Sequence, residues 1–241
     1  MKVHFTTLGC PKNQVDSELM LGMLTRAGHE IVDAAEGAEC LVVNTCAFID
    51  RAREESVNTI LELAQLKERG RARSLIVTGC LTQRYGGEIL KEIPEVNAIL
   101  GTSELDRIVA LVNQADGRRD WVTSAPPGYL YDAKTPRLLT ARLPYAYVKI
   151  AEGCDMGCTF CAIPQFRGKH RSRPQKDIVA EVEGLAARAS RRRSSSPRTR
   201  SPMAGTCPAT AISAICCSRC PTRRCRGSGR CTCTPRTSMT A

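Results

Sequence analysis

Two short apolar runs that lack the polar alternation of a half-exposed strand most constrain the fold of this chain. They are residues 40–45 (CLVVNT) and 74–78 (SLIVT), and a helical pattern follows each of them. Strands with no polar face are typical of parallel sheets, which helices cover on both sides. The order of strands and helices up to residue 116 therefore predicts an α/β fold with an open parallel sheet and helices on both faces.

The other elements of this first predicted domain, residues 1–116, are weaker patterns of the same kind. We expect Gly70 to follow the end of the second helix and Pro94 to stop the third. Ser103 is predicted to cap the last helix. The remaining predicted strands are residues 2–8 and 97–100. The predicted helices are residues 15–27, 51–69, 83–92 and 103–115.

Three cysteines, Cys10, Cys46 and Cys80, each follow a predicted strand. The carboxyl ends of parallel strands share one rim of the sheet, where ligands bind, so these thiols can meet although they are distant in sequence. Two interpretations are open. One is an iron–sulfur site with three cysteine ligands and one open iron. The other is three buried thiols of the kind common in sheets, which is also the interpretation for Cys40 at the opposite rim.

A second group of three cysteines lies within one short segment. Cys154, Cys158 and Cys161 follow the pattern C-x3-C-x2-C, with Phe160 directly before the last of them. Three thiolates at this spacing can hold three irons of a 4Fe-4S cluster and leave the fourth iron open to a substrate. The alternative is a structural zinc site completed by His170. A pair of CxxC motifs, which would favour zinc, does not occur in residues 1–189.

Charge divides the chain into a body, residues 1–189, and a tail, residues 190–241. The net charge of the whole chain is +11, but the body holds 24 basic and 24 acidic residues, and the excess of 11 Arg lies in the tail. The body therefore gives no electrostatic indication of nucleic-acid binding. It also lacks a signal peptide, a span-length apolar run and a disulfide-like density of cysteines. We expect a cytoplasmic protein without a membrane partner.

Residues 117–143 are predicted to be a linker, because residues 124–128 (SAPPG) interrupt the pattern and no period is sustained. Residues 143–151 predict a strand that leads into the second cysteine group. Pro174 and Asp177 then open a helix predicted over residues 178–187. This strand, loop and helix, within residues 144–189, would be the first unit of a longer α/β barrel.

Several motifs of the body resemble the radical S-adenosylmethionine methylthiotransferase family. The resemblance covers residues 1 to about 189, in order and with natural spacing. Its amino-terminal motifs are residues 7–13 (TLGCPKN), 15–18 (VDSE), 43–46 (VNTC) and 78–80 (TGC). Its later motifs are residues 149–154 (KIAEGC), 163–168 (IPQFRG) and 171–174 (RSRP).

Within that family, three features are similar to the branch that modifies a ribosomal protein rather than tRNA. They are Pro11 with Lys12, residues 46–50 (CAFID), and Pro164 with Gln165. The resemblance implies β-methylthiolation of an aspartate of small-subunit ribosomal protein twelve. It also implies a reductant protein such as flavodoxin or ferredoxin.

The resemblance further implies two 4Fe-4S clusters and S-adenosylmethionine as cofactors. Cys154, Cys158 and Cys161 match the ligands of the radical cluster, and Phe160 would lie near the adenine of the cofactor. Cys10, Cys46 and Cys80 match the ligands of an auxiliary cluster that carries the sulfur. No catalytic residue is predicted beyond these positions.

The tail departs from the family pattern. Arg, Ser, Thr, Pro and Cys supply 40 of its 52 residues, and no hydrophobic period remains, so we expect it to be disordered. It could be an arginine–serine segment that binds RNA, a cysteine-rich metal segment, or the product of translation out of frame after about residue 189. The abrupt loss of Asp, Glu and Lys favours the third. RNA binding is disfavoured because the tail has no aromatic residue for stacking.

If the tail is out of frame, the rest of the barrel is missing, and we expect this chain not to be a competent methylthiotransferase. Two other functions stay open from the sequence. One is a tRNA adenosine methylthiotransferase, and the other is a zinc-binding or iron–sulfur-binding module without catalysis.

Overall fold

A computed structural model describes residues 1–114, 120–121, 127–140 and 145–194, with the side chains of residues 120–121 and 189–194 left out of account. Residues Met1–Arg191 form one compact unit. Residues 195–241 lie outside the described residues, so the interpretations of the tail stay predictions.

A parallel sheet organises the first half of the chain, as the sequence predicted, but it has six strands rather than the four predicted. The order across the sheet is β2-β1-β3-β4-β5-β6, and every neighbouring pair is parallel. The strands are β1 (Lys2–Thr7), β2 (Glu30–Val32), β3 (Cys40–Thr45), β4 (Ser74–Gly79), β5 (Ala98–Leu100) and β6 (Asp120–Trp121). All residues of β3 and β4 are buried, which agrees with their lack of polar alternation.

Helices cover both faces of this sheet because successive residues of β3 and β4 point to opposite sides. The helices of this half are α1 (Pro11–Arg26), α2 (Asp50–Arg69), α3 (Cys80–Glu92) and α4 (Ile108–Asn113). On one face, Val43 and Val77 pack in a core cluster with residues of α2 and α3. On the other, Val42 and Ile76 pack with residues of α1 and α4.

Helix boundaries differ from the prediction where they matter most. The first helix begins at Pro11 rather than at residue 15, and the third begins at Cys80 rather than at residue 83. Proline is compatible with the first turn of a helix because its missing N–H has no partner there anyway. The result is that Cys10 is the residue before α1 and Cys80 is the first residue of α3.

Two further differences concern short elements. The edge strand β2 was not predicted, since its three residues are too few to show a period. The helix predicted from Ser103 is instead a 3-10 turn at Leu105–Arg107 followed by α4. Ser103 does not cap it; its hydroxyl accepts a hydrogen bond from the Gly128 N–H at 3.1 Å.

The predicted linker, residues 117–143, is described in two parts: residues 120–121 form the edge strand β6, which was not predicted, and the part after residue 127 packs against α1. Tyr131 is buried in a cluster with Val15 and Leu19, and the Leu138 N–H donates to the Glu18 carbonyl at 2.9 Å. The linker and the other predicted domain bounds stay predictions, although Met1–Arg191 contact one another as a single unit.

The segment around the second cysteine group is less regular than predicted. The strand predicted over residues 143–151 is limited, within the described residues, to β7 (Ala151–Glu152), which pairs antiparallel with β8 (Arg171–Ser172). Before β7, the chain is held instead by a hydrogen bond from the Arg173 N–H to the Ile150 carbonyl at 2.9 Å. Two helices follow the cysteines, α5 (Ile163–Arg167), which was not predicted, and α6 (Gln175–Ser194). Helix α6 starts directly after Pro174, three residues before the predicted start at residue 178. Among the helices that the structure describes, none has the length and apolarity needed to cross a membrane.

Candidate metal centres

The sheet brings Cys10, Cys46 and Cys80 to one rim. Each follows the carboxyl end of a strand, namely β1, β3 and β4. Cys46 and Cys80 are buried, Cys10 is exposed, and all three are free thiols. A Cβ built on Gly9 would lie 2.6 Å from the Cys46 Cβ and 3.0 Å from its sulfur, so the segment before Cys10 passes directly against Cys46.

Glycine is required beside two of these cysteines. Gly9 and Gly79 have positive φ angles of 90° and 104°, which other residues rarely adopt. At Gly79 a Cβ would also collide with the Asn44 side chain and the Thr45 backbone. The strands can therefore turn sharply into their cysteines only because both positions lack a side chain.

The surroundings of the Cys80 thiol raise its pKa strongly. Burial raises its pKa to about 11, although the nearby Arg167 guanidinium acts in the opposite direction. A buried thiol with that pKa is protonated at neutral pH, so a metal bound there would have to displace a proton. The donors suit an iron–sulfur cluster, because three thiols share one rim and only one of them faces solvent.

The second group lies in the loop between β7 and α5. Cys158 is exposed, while Cys154 and Cys161 are partly exposed. Hydrogen bonds shape this loop: the Cys161 N–H donates to the Cys158 carbonyl at 3.1 Å, and the Cys154 N–H donates to the Gly168 carbonyl at 3.1 Å. Phe160 is 91% exposed, so its ring is open to a ligand rather than packed in a core.

Neither group is closed around a metal in the present side-chain positions. In residues 1–114, 127–140 and 145–188, no three His, Cys, Asp or Glu side chains are arranged to hold an ion. His170 is among these residues, so the side chains are not arranged as a zinc site with His170 either. The assignment of the six cysteines as ligands therefore stays a prediction, supported by their placement.

A buried network of charged side chains lies between the two cysteine groups. The Lys149 ammonium lies 2.5 Å from the Asp16 carboxylate and also contacts Glu152. The Arg167 guanidinium lies 2.8 Å from Asp16 and 3.4 Å from Glu152. All four side chains are less than 10% exposed, and their two positive and two negative charges balance. We call these four residues the ion network; it joins α1 to the chain on both sides of the second cysteine group.

A second set of buried ion pairs links α1 to α6 through Arg137. Arg137 lies 2.6 Å from both Glu18 and Glu181, and Arg173 lies 2.5 Å from Glu181. The Tyr131 hydroxyl donates to Glu181 at 3.0 Å, beneath the Arg173 guanidinium. Helices α1 and α6 are thus tied together by charges that are paired and hydrogen-bonded.

Most of these charged residues lie in the family motifs, but no role was predicted for any of them, and Arg137 and Glu181 lie in no motif. The sequence holds one signal for such buried charges. Asp16 and Glu18 lie between the apolar residues Val15 and Leu19, where a helix that packs on a sheet has an apolar stripe. A carboxylate in such a stripe requires a cationic partner. The partners of Asp16, Lys149 and Arg167, are more than 130 residues away, and Arg137, the partner of Glu18, is 119 residues away. Periodicity could not identify them.

The pKa of Glu152 predicts a pH dependence of stability. Burial alone would raise it from 4.5, but Lys149 and Arg167 outweigh burial and lower it to about 2. The contribution of Glu152 is therefore complete above pH 4.5 and is lost as the pH falls toward 2, because the unfolded chain takes up the proton first. We expect the difference in unfolding free energy between wild type and Glu152→Gln to be constant near neutrality and to shrink below about pH 4.5. Urea denaturation at a series of pH values measures this difference in unfolding free energy. A difference that does not change down to about pH 3.5 would contradict the lowered pKa of Glu152.

Comparison with known proteins supports the resemblance. Residues 2–101 match the uncharacterized protein family UPF0004. The chain is 53% identical over 185 residues to the ribosomal protein uS12 methylthiotransferase RimO of Solibacter usitatus, covering 77% of this chain and 39% of that protein. The RimO proteins of Heliobacterium modesticaldum and Myxococcus xanthus are 48% and 51% identical over 188 and 184 residues, covering 78% and 76% of this chain. The chain spans 41% and 38% of their lengths. On this identity, the chain belongs to the RimO-like methylthiotransferase family.

Proposed function

We propose that residues 1–189 bind two 4Fe-4S clusters and S-adenosylmethionine, and that they belong to an enzyme that methylthiolates an aspartate of ribosomal protein uS12. The observation that carries the proposal is the ion network. It ties the loop of Cys154, Cys158 and Cys161 to the helix that starts beside Cys10. Two three-cysteine groups held by one buried network are suited to successive steps on one substrate.

The cofactors would supply chemistry that side chains lack. An aspartate β C–H bond is not acidic enough for a protein base, and S-adenosylmethionine with a cluster at Cys154, Cys158 and Cys161 supplies a radical instead. The side chains of this chain would hold the cofactors and orient them. Phe160 is free to contact the adenine, and the rim of Cys10, Cys46 and Cys80 would hold the sulfur-bearing cluster.

Iron content tests the ligand assignment. After anaerobic reconstitution we expect about eight irons per chain, and about four in the triple alanine variant of either cysteine group. Cys40→Ala is the matched control, because Cys40 is a buried thiol at the opposite end of the same strands and should leave the iron content unchanged. A colourless protein that holds zinc and no sulfide would contradict the proposal and favour a zinc-binding module.

The activity of this chain by itself is a separate proposal. The match covers only 39% and 41% of the lengths of the first two relatives named above, and we propose that this chain alone does not complete the reaction. We expect no 5′-deoxyadenosine from the reconstituted chain with S-adenosylmethionine and dithionite. Its appearance in chromatography would overturn this expectation without affecting the iron assignment.

Two further features complete the proposal. We propose a cytoplasmic location and a small electron carrier, such as flavodoxin or ferredoxin, as reductant. A tRNA substrate is the alternative, and it would be recognised by sulfur incorporation into RNA rather than into uS12.

A further inference from the structure

The side chain of Asn13 contacts all three cysteine-bearing segments of the rim. Its amide nitrogen donates to the Leu8 carbonyl at 3.1 Å, just before Cys10, and to the Thr45 carbonyl at 2.8 Å, directly before Cys46. Its amide oxygen accepts a contact from the Cys80 sulfur at 3.7 Å. The orientation of one amide therefore helps to fix the relative positions of three thiols.

Arg167 fixes that amide from the other side. Its guanidinium donates to the same Asn13 oxygen at 2.8 Å and is 5% exposed. The guanidinium and the Cys80 sulfur share one acceptor, so they lie no further apart than the sum of their two distances to it. Arg167 comes from α5, directly after the second cysteine group, and its neighbour Phe166 packs in the same core cluster as Cys80. A residue of the second loop thus reaches the rim of the first.

Arg167 carries a permanent positive charge, because a guanidinium is not deprotonated in a folded protein. Its guanidinium lies 2.8 Å from the Asp16 carboxylate and 3.4 Å from the Glu152 carboxylate. One nitrogen of the guanidinium donates to Asn13 and another donates to Asp16, so Arg167 brings its positive charge to the rim. At the Cys80 thiol the charge of Arg167 outweighs the opposing charge of Asp16. A cation beside a cluster favours the reduced form, which carries one more negative charge.

We propose that Arg167 is a positioning residue that orients Asn13 and makes a cluster held by Cys10, Cys46 and Cys80 easier to reduce. This inference rests on the proposed function, since it needs a cluster at that rim. It goes beyond the family resemblance, which assigns the cysteines and gives Arg167 no role. The positive charge lowers the free energy of the reduced state, and the hydrogen bond to Asn13 keeps the thiols in place.

The test is a redox titration of the rim cluster alone. The full chain carrying Cys154→Ala, Cys158→Ala and Cys161→Ala is reconstituted, and its reduction potential is measured by electron paramagnetic resonance. We expect Arg167→Gln to lower the reduction equilibrium constant at least tenfold, a shift of about 59 mV or more to negative potential for a one-electron couple. Arg167→Lys keeps the charge and should stay within about threefold of the parent.

Two further variants keep the test decisive. Arg173→Gln removes another buried, ion-paired arginine that contacts Glu181 and no cysteine, and it should leave the potential unchanged. Asp16→Asn removes an anion that neutralises Arg167, so it should shift the potential in the positive direction, and it serves if Arg167→Gln does not fold.

The outcomes separate this inference from the proposed function. A parent protein that holds a cluster, with an Arg167→Gln potential equal to that of the parent, overturns the inference alone. An equal shift in Arg173→Gln also overturns it, because the effect would then not be local. A parent that binds no iron at the rim overturns the proposed function together with the inference.

Discussion

Replacing Lys149 with methionine is expected to lower the free energy of unfolding by about 3–5 kcal/mol. Lys149 lies 2.5 Å from Asp16, also contacts Glu152, and is almost fully buried with both carboxylates. The variant would leave Asp16 and Glu152 inside the protein with one buried cation, Arg167, in place of two. Lys12, 3.4 Å from Glu152, is 45% exposed and replaces little of the lost charge. Removing one partner of a buried ion pair is costly because the remaining charge loses both water and its partner. Urea denaturation followed by circular dichroism measures the loss.

The matched control is Lys91→Met. Lys91 forms an ion pair with Glu92 at 3.7 Å, but both side chains are more than 70% exposed. Exposed pairs contribute little because solvent screens the charges, so a change within about 1 kcal/mol is expected. If both variants lost the same free energy, the network would not act as a buried group of charges.

Gly79→Ala is expected to destabilise the protein by about 3–4 kcal/mol, which is large for the addition of one methyl group. Gly79 has a φ angle of 104°, and its new Cβ would collide with the Asn44 side chain and with the backbone of Thr45. These neighbours belong to β3, whose residues are all buried, so they have little room to move. Thermal and urea unfolding would both report the loss.

Gly28→Ala separates the clash from the backbone strain. Gly28 has a similar φ angle of 88°, but nothing lies within 4 Å of a Cβ built there. That variant should lose only about 1–2 kcal/mol, the cost of holding alanine at positive φ. Equal losses in Gly28→Ala and Gly79→Ala would show that crowding at the rim contributes nothing.

Most of the sheet could be predicted from sequence because its strands are apolar on both faces. The segments 40–45 and 74–78 have no polar face, and they occupy the centre of the sheet. The short edge strand β2 and the 3-10 turn before α4 could not be predicted. Both have three residues, and their conformation depends on hydrogen bonds to neighbouring segments rather than on a period of their own.

The placement of the cysteines was also predictable, but what surrounds them was not. Strand order alone places Cys10, Cys46 and Cys80 at one rim, because the carboxyl ends of parallel strands coincide. The contact of Asn13 with all three segments depends on where α1 starts, and the predicted start at residue 15 placed Asn13 outside the helix.

By itself, the sequence determined the order of the elements, the rim on which three cysteines lie, and the spacing of the other three. These are local properties, set by side-chain periodicity and by the direction of each strand. Only the tertiary structure decided that Asp16, Lys149, Glu152 and Arg167 share one buried site between the two groups. A buried charge must find an opposite charge wherever the folded chain supplies one, and that choice depends on packing between segments more than 130 residues apart.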